Sequence, residues 1–211
     1  MKWQPRIYLV EDDPVAQRVH HAWLQQVPDA TIEVYGTADE FLAAYSPGQP
    51  GVLVLDHCMP GMTGEQLVAT QVPDPVDIPV LMISAYVDVP LAVRVVKRGV
   101  VDVLQKPVSG ELLVEQIIRL LSAERQNWPR RAEAAELRRN LATLTPRETE
   151  VLGELVGGRT NKEVAAILEI SPKTVEIHRG RVLSNLQADS VTELVRRMNL
   201  LGVDPFAAPA V

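Results

Sequence analysis

Apolar positions in the first 121 residues alternate between short β-branched runs and longer stretches with helical spacing. The runs Arg6–Val10, Thr31–Tyr35, Val52–Leu55, Pro79–Ile83 and Val101–Leu104 predict strands. Helical patterns near residues 14–26, 38–45, 64–72, 88–98 and 110–125 predict a helix after each of them. Thr37 followed by Glu40 reads as a capping box, and Gly99 as a helix stop. Regular alternation of strand and helix implies a parallel sheet covered on both faces. The expected fold is a doubly wound, five-stranded α/β domain.

After residue 121 the strand pattern does not return. Trp128-Pro129 is expected to break or kink any helix that enters it, with "RRAEAAELRRNLATL" following as a connecting helix. Four clean helix starts then appear: Thr145 with Pro146 and Glu148, Thr160 with Glu163, Ser171 with Pro172, and Ser190 with Glu193. Three have capping-box spacing, and two place Pro at the first helical position. Gly157-Gly158 would close the first helix and Gly202 the last. Helices at 161–168 and 172–186, separated by Glu169-Ile170-Ser171, predict a helix-turn-helix. The expected division is 1–121, a helical linker at 122–140, and an all-α domain at 141–211.

Charge sharpens this division. Residues 1–121 hold 8 Lys+Arg against 15 Asp+Glu, residues 122–140 hold 5 against 3, and residues 141–211 hold 8 against 9. The acidity sits in the first part, and the net charge of −6 excludes a protein that coats nucleic acid indiscriminately. No apolar run reaches membrane-spanning length, and no secretory leader is expected at the N-terminus. A single cysteine, Cys58, cannot form an internal disulfide, so a cytoplasmic location is expected.

In an open α/β sheet, ligands bind beyond the carboxyl ends of the strands. There the first strand presents Glu11, Asp12 and Asp13, the third Asp56, the fourth Ser84, and the fifth Lys106-Pro107. Each alone has a bland reading: Asp56 as a turn residue, Ser84 as loop, Asp13 before Pro14 as a helix cap. Together they suit phosphoryl transfer. A hard cation such as Mg²⁺ takes carboxylate oxygens, a neighbouring aspartate accepts the phosphoryl group, and a lysine and a hydroxyl balance its oxygens.

The segments "IYLVEDDP", "LVLDHCMPGMTG", "LMISAY" and "DVLQKPV" resemble, in order and spacing, the landmarks of the receiver domain of two-component response regulators. The resemblance implies a flavodoxin-like fold, Glu11 and Asp12 as the metal-binding pair, and Asp56 as both phosphoacceptor and metal ligand. It further implies the Cys58 carbonyl as another metal ligand, Ser84 as the switch hydroxyl, and Lys106 as the invariant lysine. A cis peptide to Pro107 often follows that lysine. The family usually carries an aromatic residue after Asp102; here Val103 stands there, and Tyr86 is a candidate substitute.

The stretch "LTPRETEVLGELVGGRTNKEVAAILEISPKTVEIHRGRV" resembles the LuxR-type DNA-binding domain, and the whole chain is similar to the FixJ-like subgroup of the LuxR/NarL response regulators. From helical spacing, the helix at 172–186 would bury Val175, Val182 and Leu186 and expose Lys173, Glu176, Arg179, Gly180 and Arg181. That exposed set can read a major groove. By resemblance, Glu176, Ile177 and Gly180 face base edges, and Lys173, Thr174, Arg179 and Arg181 reach phosphates or nearby bases. Lys162 and Arg159 are expected at the DNA backbone, and His178 is expected to pack or to meet phosphate.

The expected function is a DNA-binding transcription factor, phosphorylated on Asp56 by a sensor histidine kinase and binding promoter DNA as a homodimer. RNA polymerase is a further expected partner, and no membrane is involved. A phosphohydrolase using Asp56 would need a general acid two residues on, where Cys58 stands, so no enzyme activity is expected. Val103 gives some footing to a constitutive regulator whose receiver serves only as a dimerisation or ligand-sensing module.

Overall fold

The computed structural model describes residues 3–69 and 76–205. The chain divides into two compact units, the first running to Ala132 and the second from Glu133. In the first, β1 (Arg6–Val10), β2 (Thr31–Tyr35), β3 (Gly51–Asp56), β4 (Val80–Ser84) and β5 (Val100–Gln105) form one parallel sheet in the order β2-β1-β3-β4-β5. Between them lie α1 (Pro14–Leu24), α2 (Ala38–Ala44), α3 (Gly64–Ala69) and α4 (Val89–Lys97), and α5 (Gly110–Ala142) follows. The expected end of α3 near residue 72 lies outside the described residues.

Alternation along the strands builds two cores. Tyr8, Val10, Leu53, Leu55, Val80 and Met82 pack on one face with Phe41 of α2, Leu67 of α3, and Leu91 and Val95 of α4. Ile7, Leu9, Val52, Val54, Leu81 and Ile83 pack on the other with Leu24 of α1 and Leu113, Ile117 and Leu120 of α5. The central strands are buried on both faces and read as unbroken apolar runs. Asp13 caps α1, its Oδ1 accepting from Val15 N at 2.7 Å. Thr37 caps α2, but Glu40 closes back on Gly36 N rather than on Thr37, a displaced form of the expected box.

Of the break or kink expected at Trp128-Pro129, the break does not occur. Pro129 lies inside α5, which absorbs the predicted linker. Contacts on both sides of the proline hold the helical backbone. Buried Trp128 donates from Nε1 to Gly48 O at 2.8 Å and meets Trp3 edge-on. Arg131 pairs with Asp77 at 2.8 Å and with Glu124, and donates to Gln49 O at 2.6 Å. Tertiary anchoring thus outweighs a local helix breaker, and the first unit extends past residue 121.

The second unit takes Ala134 and Leu137 from the end of α5, then α6 (Pro146–Val156), α7 (Asn161–Ile167), α8 (Pro172–Asn185) and α9 (Val191–Leu201). Thr145–Glu148 and Thr160–Glu163 form complete capping boxes. At α9 only Ser190 caps as expected, because Glu193 accepts from Asp189 N. Each of the four helices ends on a residue of positive φ: Gly158, Glu169, Gln187 and Gly202. In each case the next N–H reaches back five residues, to Glu154, Ala165, Leu183 and Met198 respectively, at 2.9–3.3 Å. These are Schellman closures, two of them made without glycine.

Candidate functional site

The carboxyl ends of β1, β3 and β5 converge on one point. All six residues of β3 are buried, so apolar packing on both faces sets the position of Asp56, itself 5% exposed. Its Oδ1 accepts from Cys58 N at 3.1 Å, and its Oδ2 from Lys106 Nζ at 2.7 Å. Lys106 Nζ also donates to both oxygens of Glu11 at 3.0 Å. The Lys106–Pro107 peptide is cis, and Lys106 N donates to Ser84 O at 2.8 Å. Gly64 closes the loop after β3: its N–H donates to His57 O at 3.0 Å, and a β-carbon on it would stand 2.5 Å from Asp56 O.

Glu11 is 1% exposed. Burial, then sharing of hydrogen bonds with Asp56, push its carboxyl up to about 7 against the opposite pull of Lys106. Burial acts to lower Lys106, but its bonds to Asp56 and Glu11 outweigh this and hold the ammonium above its usual value. His20, on α1, is buried with Nδ1 3.7 Å from Glu11 Oε2, and burial lowers its pKa.

Glu11, Asp12 and Asp56 each offer a carboxylate oxygen, all within 4.8 Å of one another. Three hard anionic donors with a single lysine between two of them fit a divalent cation such as Mg²⁺. Asp13 is spent on the cap of α1. Cys58 contributes its N–H to Asp56, and its thiol is exposed. Ser84 is buried, and its bonds run away from the carboxylates: Oγ donates to Tyr86 O at 2.7 Å, accepts from Tyr86 N at 3.3 Å, and lies 3.3 Å from His57 Nδ1. Val103 is half-buried against the core, and Tyr86 is 69% exposed.

Sequence reasoning missed His20 and His57. For His57 the sequence offers only its place directly after Asp56. His20 carried no signal, because its approach to Glu11 depends on how α1 packs.

In the second unit α8 buries Val175, Val182 and Leu186 as expected. Lys173, Glu176, Ile177, Gly180 and Arg181 are exposed, as is Lys162 on α7. Gly180 faces open space. Arg179 alone departs from the expected exposure, while Thr174 and Arg159 are engaged locally. Arg179 is half-buried, with Nη1 3.5 Å from Asn161 Oδ1 across the two helices. Thr174 is half-buried, its N–H and hydroxyl engaged by the Ser171 cap. Arg159 is paired with Glu154. His178 is half-buried with a covered Nδ1. The turn between α7 and α8 is Leu168–Ser171, one residue longer than predicted, because α7 ends at Ile167. The acids of α6 are occupied locally: Glu148 closes a cap, Glu150 pairs with Arg147, and Glu154 with Arg159.

Comparison with known proteins agrees with both halves. Residues 7–118 match the response regulator receiver domain, and residues 142–198 match the bacterial regulatory proteins of the luxR family. Transcriptional regulatory protein FixJ of Rhizobium meliloti is 34% identical over 204 residues, covering 94% of this chain and 97% of its own. FixJ of Bradyrhizobium diazoefficiens is 35% identical over 199 residues, with 93% and 95% covered. The response regulator StyR has a similar structure, with a TM-score of 0.56, 31% identity, and 93% and 99% of the two chains covered. Receiver geometry in the first unit, a helix-turn-helix in the second, and full-length relatives carrying both lead to one conclusion: the chain belongs to the two-component response regulators, as a FixJ-like transcriptional regulator with a LuxR-type DNA-binding domain.

Proposed function

We propose that a sensor histidine kinase phosphorylates Asp56 and that this controls binding of the regulator to promoter DNA as a dimer. The observation that carries the reading is the meeting of Glu11, Asp12, Asp56 and Lys106 at the ends of β1, β3 and β5. An Asp56 oxygen attacks the phosphorus of a phosphohistidine. The O–P bond forms, the N–P bond breaks, and the histidine nitrogen leaves with the electron pair and takes a proton. Lys106 balances charge on the phosphoryl oxygens, and Ser84 turns inward to donate to one of them. Glu11, Asp12 and Asp56, with the Cys58 carbonyl, would hold Mg²⁺, which supplies further charge neutralisation when bound.

The output runs through α4 and β5, the elements that follow Ser84 and precede Lys106. Val89, Val93 and Val96 share the outer face of α4, with Val101 exposed on β5, an apolar stripe suited to a second receiver. Pairing two chains makes engagement of the second DNA half-site effectively intramolecular. Lys173, Glu176, Ile177 and Arg181 meet the groove, with Arg179 and Thr174 closer to the helix junction and Lys162 at the backbone. Gly180 lets the helix approach closely without reading a base. RNA polymerase is then a further partner at the promoter, and the cytoplasm is the compartment. With Val103 in place of an aromatic residue, Ser84 and its loop carry the signal without a rotating ring.

Mobility shifts on genomic fragments, with light scattering on the same samples, test this with and without beryllofluoride and Mg²⁺. The expected result is dimerisation and tighter DNA binding, both lost in Asp56→Asn. Unchanged mass and DNA affinity on beryllofluoride treatment would favour the constitutive regulator and overturn the proposal.

A further inference from the structure

Ser84 Oγ has one proton, and the 2.7 Å contact to Tyr86 O uses it. The other two contacts must therefore come from donors: Tyr86 N at 3.3 Å and His57 Nδ1 at 3.3 Å. His57 follows the phosphoacceptor directly, and its backbone is pinned on both sides, its N–H donating to Ile83 O at 2.8 Å and its carbonyl accepting from Gly64 N at 3.0 Å. From this anchored backbone the ring places Nδ1 beside the Ser84 hydroxyl. Its Nδ1 also lies 3.5 Å from the Cys58 thiol, which competes for the same nitrogen. A ring that accepts the thiol proton at Nδ1 cannot donate to Ser84.

We propose that His57 is a positioning residue of the phosphoryl switch, its Nδ1–H holding the Ser84 hydroxyl in the outward arrangement that must be given up when the hydroxyl turns toward phosphorylated Asp56. This rests on the phosphoacceptor reading above and adds to it a restraint specific to this chain. Three contacts oppose the inward turn, and two of them are made by the backbone of Tyr86. His57 supplies the only one of the three that a side-chain substitution removes.

Leu and Asn separate the hydrogen bond from the shape. Leu places a methyl group, and Asn an amide nitrogen, where the histidine has Nδ1. The experiment is titration of the full chain with beryllofluoride at saturating Mg²⁺, followed by tryptophan fluorescence. Loss of one neutral hydrogen bond lowers the half-saturating concentration in His57→Leu by roughly twofold to tenfold. His57→Asn stays within about twofold of the parent. In a Ser84→Ala background the His57→Leu effect disappears, because no hydroxyl remains to be held. Equal shifts in the Ser84 and Ser84→Ala backgrounds, or no shift in His57→Leu while the parent responds normally, would overturn the proposal. A parent chain whose response persists in Asp56→Asn overturns the phosphoacceptor reading itself, and this inference with it. A Leu variant that unfolds leaves Asn decisive: a half-saturating concentration in His57→Asn more than about twofold below the parent counts against positioning by hydrogen bond.

Discussion

Lys106→Met removes the cation that meets the buried carboxylates of Glu11 and Asp56 and keeps most of the side-chain volume. Lys106 is 27% exposed, whereas Glu11 and Asp56 are 1% and 5% exposed, so the loss falls on groups that water reaches poorly. Glu11 already sits at about 7 in the folded chain against an ordinary 4.5. A raised carboxyl lowers stability as pH climbs from the unfolded value to the folded one, and the penalty levels off above it. Near pH 8 that penalty is about 3 kcal/mol in the parent, and it cannot exceed about 5 kcal/mol, the cost of keeping Glu11 fully protonated. Losing Lys106 moves Glu11 toward that ceiling, an added cost of about 1–1.5 kcal/mol near pH 8 and almost nothing near pH 6. The lost charge-assisted bond to Asp56 adds about 1.5–3 kcal/mol at either pH. Urea unfolding in EDTA measures the difference directly. Trp3, Trp23 and Trp128 all lie in the first unit, so tryptophan fluorescence reports that unit alone. The expected gap between parent and variant is about 3–4 kcal/mol near pH 8, narrowing by about 1 kcal/mol near pH 6. A gap that is flat, or that widens on acidification, refutes the reasoning.

Gly64→Ala forces a β-carbon to within 2.5 Å of Asp56 O and should cost about 1–3 kcal/mol by fluorescence-detected urea unfolding, with weaker Mg²⁺ binding; parent-like stability would show that the loop yields freely. Trp128→Phe leaves Gly48 O without its 2.8 Å donor and should cost the first unit about 1–2 kcal/mol, read from the remaining tryptophans. Gln187→Gly relieves a left-handed residue of φ 53° and should stabilise the second unit by about 0.5–1 kcal/mol, visible as a raised transition in far-UV circular dichroism that fluorescence does not follow.

The strands were legible because their burial is two-sided and their ends carry chemistry. Val52–Leu55 ending in Asp56 needed no knowledge of neighbours. Caps were equally legible, since Asp13, Thr145 and Thr160 act within three residues of themselves. What the sequence hid were contacts between distant segments. Pro129 promised a break because its effect is local, whereas the contacts that hold the helix, to Gly48, Gln49 and Asp77, come from far along the chain. His20 beside Glu11 and Arg179 beside Asn161 depend on how one helix leans on another element. Periodicity gives the face of a helix that is buried and not the partner it meets.

The order in which the site's residues leave the ribosome has a consequence of its own. Glu11 and Lys106 are 95 residues apart, and Asp56 and Lys106 50. No shorter stretch of chain contains the complete site, and the lysine belongs to the last strand of the sheet. A nascent or prematurely terminated chain lacking β5 carries the acids without their counter-charge and without the last strand of the sheet. A complete site is therefore withheld until the whole sheet has been made, and a product of translation that stops short of β5 holds the three carboxylates with no lysine between them.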